Sequence, residues 1–167
     1  DVGADLTVIS ELKADQIANW LNERRGDAQA ISRSETFTLR VRDLLHRRDS
    51  SSDAAALGSQ LRAVIAAYDY TSALLLDVEG GVVLSAGTEV DVPGEISTAM
   101  HAAAISRSIE RTDLYREPNG DIHLEIISPV FEPNVDDGRI IAYLALRTDA
   151  RKALLGLARV WPAVSES

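Results

Sequence analysis

Ser72–Ser85 reads SALLLDVEGGVVLS. Ser72–Val78 is a short apolar run, Glu79-Gly80-Gly81 is a turn, and Val82–Ser85 is apolar again. Runs of this length, rich in aliphatic residues and split by paired glycines, predict a β-hairpin rather than a helix. The rest of the chain is read outward from this hairpin.

Toward the C-terminus, Pro93-Gly94 opens an alanine-rich helical stretch, Glu95–Ser106. Three more strands follow. Ile109–Arg116 is the first, and Pro118-Asn119-Gly120-Asp121 supplies an Asn-Gly pair suited to a tight turn. Ile122–Phe131 is the second, ended by Pro133, and a polar loop from Asn134 to Gly138 leads to the third, Arg139–Arg147. Asp149 caps a last helix that ends near Val160, before Trp161-Pro162.

Toward the N-terminus the apolar period becomes helical. Leu6, Ile9, Ile17, Trp20, Leu21, Ala28 and Ile31 recur at three- and four-residue steps from about Asp5 to Ser32. Gly26 is the only breaker in this stretch. A helix of that length measures about 40 Å, more than a compact domain requires. Part of it is expected to pack on a second copy or to continue toward a membrane. A second helix is read over Glu35–Arg47, with Phe37, Val41, Leu44 and Leu45 on its apolar face. After a polar turn at Ser50–Asp53, a third carries Leu57, Leu61, Val64, Ile65 and Tyr68 on one side.

Three helices, two strands, one helix, three strands and one helix predict an α+β domain. Its expected form is a five-stranded antiparallel sheet with helices on its faces. One domain is expected over residues 1–167, with N-terminal helices in 1–68, the sheet and its inserted helix in 69–150, and an exit segment in 151–167.

Composition limits the function. The chain is 46% hydrophobic and 26% charged, within the globular range, and carries a net charge of −9. Arg40, Arg42, Arg47 and Arg48, with His46, form the one basic cluster, at spacings that suit a solvated helix face. No nucleic-acid partner is expected of such a chain. The absence of cysteine excludes disulfides, thiolate metal sites and cysteine nucleophiles. No apolar run reaches the roughly 18–20 residues of a membrane span. The chain opens on Asp1 with no signal peptide, and so reads as a piece of a longer protein.

Catalytic patterns are missing. The histidines are His46, His101 and His123; no GxSxG, HExxH, P-loop or GxGxxG sequence is present. Helical spacing of zinc ligands and the twelve-residue calcium loop are also absent. Glu132, Asp136 and Asp137 read as a solvated loop. Neither an enzyme, nor a cofactor, nor a metal is expected.

Several phrases, in this order along the chain, resemble bacterial extracytoplasmic Cache sensor domains. Lys13–Ala30 (KADQIANWLNERRGDAQA) is similar to their opening helix, and Tyr70–Ser85 (YTSALLLDVEGGVVLS) to their first hairpin. Asp121–Phe131 resembles the central strand, Ile140–Asp149 the last strand, and Trp161-Pro162 with Ser165-Glu166-Ser167 the junction to a second module. The resemblance implies a PAS-like sheet with a long N-terminal helix, a small-molecule pocket, flanking membrane helices and a periplasmic or extracellular position. It further implies a receptor such as a histidine kinase or diguanylate cyclase, and dimers formed through the N-terminal helix. Members that bind amino acids carry an Arg-x-Trp-Tyr motif and a later Asp. That motif is missing here, where the only tryptophans are Trp20 and Trp161.

The implied pocket lies between one sheet face and the helix and loops that join the second and third strands. Strand alternation nominates its residues. Arg111, Asp113 and Tyr115 share a parity; His123 and Glu125 alternate with Ile122, Leu124 and Ile126; Tyr143 and Arg147 share a face with Ile141 and Ala145. Arg111, Asp113, Tyr115, His123, Tyr143 and His101 are the candidate ligand contacts, for a small polar or carboxylate-bearing molecule. An antiparallel sheet often keeps one face wet, and His123 and Glu125 suit such a face. Tyr143 also suits a core position, and His101 an exposed one. Arg107 and Arg147, near element ends, suit loop or helix carbonyls. Ile17, Trp20, Arg24, Ala28 and Ile31 approximate a heptad seam for a homodimer or a cover for the back of the sheet. Two other readings stay open: a ligand-free dimerisation module and a cytoplasmic PAS-type module.

Overall fold

The computed structural model describes residues 2–47, 51–88 and 94–151. Three helices come first: α1 (Val2–Ser32), α2 (Glu35–His46) and α3 (Ser51–Tyr68). Strands β1 (Ser72–Leu76) and β2 (Val82–Gly87) form the first hairpin, and α4 (Gly94–Ser106) follows. The remaining strands are β3 (Glu110–Arg111), β4 (Tyr115–Arg116), β5 (Ile122–Phe131) and β6 (Ile140–Asp149). The expected last helix lies outside the described residues beyond Arg151, as do Trp161-Pro162 and the closing serines. Asp149 does accept the amide of Arg151, as a helix cap would.

Local chemistry sets the boundaries. Ser34 caps α2, its Oγ accepting from the amide of Phe37. β1 stops at Leu76, two residues early, because Asp77 starts the turn: its carboxylate accepts from the amides of Glu79 and Gly81. Gly80 has a φ of 93°, the left-handed conformation the turn requires.

All pairings are antiparallel, in the order β2-β1-β6-β5-β3, with β4 also on β5. The expected count of five strands is corrected to six. The segment read as one strand, Ile109–Arg116, is broken in two. Arg111 pairs with Ile126 and Tyr115 with His123, so four steps along the edge run beside three along β5. The extra residue is a bulge, and it reverses which side chains face which layer.

Both faces of the sheet are covered. On one, Ala28 of α1, Phe37 and Val41 of α2, and Leu57 and Leu61 of α3 pack over Ala73, Leu75, Leu124, Ile126, Leu144 and Leu146. On the other, Ile96, Ala99, Met100 and Ala103 of α4 pack over Leu74, Leu76, Ile127, Tyr143 and Ala145. This double cover overturns the wet face expected for His123 and Glu125. Both are buried, Glu125 to 1% exposure. Among the described residues, no helix is long and apolar enough to cross a membrane.

Candidate functional site

The α4 face of the sheet carries a knot of buried charge where β5 and β6 lie beside the broken edge. Arg147, 4% exposed, sends Nε to Glu125 Oε1 at 2.7 Å, Nη1 to Glu117 Oε1 at 3.0 Å and Nη2 to the Tyr115 hydroxyl at 2.7 Å. The Tyr115 hydroxyl in turn donates to Glu125. A buried carboxylate costs several kcal/mol of desolvation unless it is paired and hydrogen-bonded. Glu125 has both, because β5 and β6 pair Glu125 directly with Arg147. Burial, then hydrogen bonding to Glu125, push the Tyr115 phenol above its usual range. His123 closes the knot. Its ring lies 6.2 Å from that of Tyr115, and its Nε2 is 3.5 Å from Glu117 Oε2.

Thr112 sits in the break of the edge strand. Its amide donates to the Glu125 carbonyl at 3.0 Å. Its hydroxyl accepts from the Glu125 amide at 2.9 Å and donates to Glu125 Oε2 at 3.1 Å. A side-chain oxygen thus fills a place that a backbone carbonyl holds in a regular ladder.

Thr112 also walls a cleft of about 650 Å³ between α4 and the broken edge. Glu95, Thr98, Ala99 and Ala102 line it from α4, and Arg111 and Asp113 from the edge. Both Arg111 and Asp113 are exposed. A second cavity, about 220 Å³, is lined by His101, Tyr143, Ser97 and Met100 with the Val78–Gly80 turn. Burial raises the Tyr143 phenol above its ordinary value. A wider groove, about 790 Å³, lies at the far end of β5, between the α1–α2 junction and the Glu132–Gly138 loop. It lies at the opposite end of β5 from Glu125, whereas the smaller cleft reaches the buried charges through Thr112, so the cleft is the candidate site.

The six nominated residues therefore divide into three places. Tyr115 and His123 meet in the knot, Arg111 and Asp113 stand at the cleft, and Tyr143 and His101 line the small cavity. The shared parity of Arg111, Asp113 and Tyr115 is corrected by the bulge: Arg111 is paired with Ile126, of the α1 side, and borders a pocket beside α1 as well as the cleft, whereas Tyr115 is paired with His123. Arg107 donates to the Gly138 carbonyl, in keeping with an arginine at an element end. Arg147 does not follow that pattern; it pairs with the buried carboxylate of Glu125 and the half-buried one of Glu117. Sequence reasoning missed Thr112 and Glu117. Glu117 precedes the Asn-Gly turn and Thr112 lies in the break between β3 and β4; both sit opposite β5, and cross-strand pairing is the signal that nominates them.

No protein-family model and no curated protein matches this chain. Solved structures do. The ligand-binding domain of the Campylobacter jejuni chemoreceptor Tlp3 in complex with L-norvaline superposes with a TM-score of 0.66 at 12% identity, over 89% of this chain and 59% of that one. The sensor domain of the Vibrio cholerae histidine kinase DctB gives 0.62 at 15% identity, over 86% and 54%. The ligand-binding domain of the Pseudomonas aeruginosa chemoreceptor PctB in complex with L-Arg gives 0.53 at 18%, over 86% and 56%. This chain thus spans less than two thirds of each of these chains. Its fold is that of the Cache-type sensor domains of bacterial chemoreceptors and histidine kinases.

Proposed function

We propose that this chain is the ligand-sensing part of a membrane-anchored signalling receptor, placed outside the cytoplasm. The ligand is a small polar molecule held in the cleft between α4 and the broken edge strand. Arg111 and Asp113 offer it opposite charges, which suit a molecule carrying a carboxylate and an amine, or either alone. The chemoreceptor neighbours are complexes with amino acids. Since the Arg-x-Trp-Tyr motif is absent, amines, carboxylates, sugars and purines belong in the same search.

The observation that carries this reading is the double engagement of Thr112. It lines the cleft and hydrogen-bonds both the backbone and the carboxylate of Glu125. A ligand that draws on the Thr112 hydroxyl competes with Glu125, and Glu125 holds Arg147 near the end of the last strand. The Arg147 carbonyl accepts from the amide of Thr71, and Tyr70 beside it donates to Asp27 of α1. The cleft is thereby linked to both the first helix and the last strand, the routes by which a receptor passes a signal to its output. Binding would shift the population between two arrangements of this network. Tyr115 and His123 act in this reading as supports of Glu125 and Arg147, and Tyr143 and His101 as the wall of an adjoining subpocket.

The receptor is further proposed to be a homodimer through α1. Ala28 is consumed by the core and Ile31 packs against it, but Ile17 remains 37% exposed and Trp20 is half-buried.

A thermal-shift screen of the purified chain against amino acids, carboxylates, amines, sugars and purines tests the sensor reading. A ligand at a hundred times its dissociation constant adds about 2.7 kcal/mol of stability. The expected result is a saturable rise in melting temperature that Arg111→Ala or Asp113→Ala abolishes. No rise with any class would replace this reading with a ligand-free dimerisation module.

A further inference from the structure

We propose that Glu117, Asp121 and His123 form a binding site for a divalent transition-metal ion of the zinc class, separate from the cleft. Each offers one ligand atom, and the three atoms lie within 4.8 Å of one another. They meet because of the hairpin that joins β4 to β5. The Glu117 amide donates to the Asp121 carbonyl at 2.8 Å, which sets these two residues opposite each other. Tyr115 and His123 form the next same-face pair along the ladder. Glu117 and Asp121 beside each other, with His123 on the diagonal, make a compact three-donor set.

Two features point to a cation rather than to a chance grouping. The first is the imidazole. The His123 side chain is 8% exposed, yet its Nδ1 has no hydrogen-bond partner among the described residues. A buried ring nitrogen is ordinarily satisfied. The nitrogen turned to the carboxylates is Nε2, 3.5 Å from Glu117 Oε2, so a metal ion between them would take the Nε2 lone pair and fix Nδ1 as the N–H.

The second is charge. Like charges directly opposed across a ladder repel. Arg147 is the cation of the knot, and Glu125 and Glu117 already share it. Asp121 adds a further negative charge and, among the described residues, its carboxylate accepts only from the Asn119 amide, at 3.0 Å. Glu117 Oε2 is left facing the imidazole at 3.5 Å. A divalent ion balances this excess. Asp121 is exposed, so the ion has a path from solvent. One nitrogen and two carboxylate donors suit zinc and its neighbours better than magnesium or calcium, which prefer all-oxygen sites. Three protein ligands leave one tetrahedral position for water.

The helical zinc pattern tested on the sequence does not describe this set, because its ligands come from two strands. The test is calorimetric titration of the chelator-treated chain with zinc chloride. One saturable site is expected, weakened at least tenfold in Asp121→Asn and in His123→Gln, and unchanged in His46→Gln and His101→Gln. Asp121 is at the surface, so Asp121→Asn keeps the assay valid even if His123→Gln misfolds. Cobalt chloride should give the visible absorption bands of a four-coordinate site, and these should vanish in Asp121→Asn. Wild-type affinity in Asp121→Asn, or equal binding of magnesium chloride, would overturn the assignment.

Discussion

Glu125 and Arg147 face each other across the two longest strands at near-zero exposure, with Thr112 and Tyr115 supplying the remaining hydrogen bonds. Removing one member of such a pair strands the other charge, at about 3–5 kcal/mol. Arg147→Ala is expected to lower the stability by that amount in urea denaturation, and a loss below about 1 kcal/mol would show that the pair is solvated. Exchanging Arg147 and Glu125 together for Met and Leu should recover much of it. The sequence shows His123 and Glu125 alternating with aliphatic residues but not whether their face is wet. That depends on α4, which is more distant in sequence, and on how the broken edge segment lies beside β5. Tyr70 is buried too, at 4% exposure. Its hydroxyl donates to Asp27 at 3.2 Å, and burial, then the Asp27 charge, raise its pKa. Above about pH 10 an unfolded chain ionises this phenol while the folded chain keeps the proton. The stability is therefore fully present below that pH and falls as pH rises further. Tyr70→Phe should flatten this alkaline loss; an unchanged pH profile would remove Tyr70 as its source.

At the scale of elements, glycine separates two kinds of position. Gly87 ends β2 with a φ of 85°, and an added Cβ would lie 2.3 Å from the Thr71 carbonyl oxygen. Gly87→Ala should cost more than about 2 kcal/mol. Gly26 lies inside α1 with nothing within 4 Å of an added Cβ, and Gly26→Ala should add about 0.5–1 kcal/mol. A lower denaturation midpoint in Gly26→Ala, or an unchanged one in Gly87→Ala, would contradict the corresponding assignment. The helix starts and the first hairpin were legible because each has a local cause: the Ser34 cap, the Asp77 turn, the paired glycines. The break between β3 and β4 was not. A parity reading assumes an unbroken strand, and one extra residue near Asp113 invalidates it for every side chain beyond.

For the molecule as a whole, the core does not use the outer part of α1, where Ile17 is 37% exposed. Sedimentation equilibrium should give the mass of two chains for the wild type and of one for Ile17→Glu. A single-chain mass for the wild type across a concentration series would exclude the α1 seam. The α+β class and the helix–sheet order were readable from apolar periods together with the Gly, Pro and Asn turn signals between them. The candidate site was readable only in part, since the cleft, the knot and the small cavity each draw on segments that the sheet order, not the sequence order, makes neighbours.

The hydroxyl of Thr112 has one more consequence. The Glu125 amide is buried in a central strand, yet a rotatable side chain holds it, not a fixed carbonyl. One turn about the Thr112 Cα–Cβ bond releases that proton without separating any backbone pair. In heavy water, the Glu125 amide should therefore exchange faster than the amides of Ile126 and Ile127 beside it. Its exchange rate becomes a built-in isotopic clock for how often the wall of the cleft lets go of the sheet.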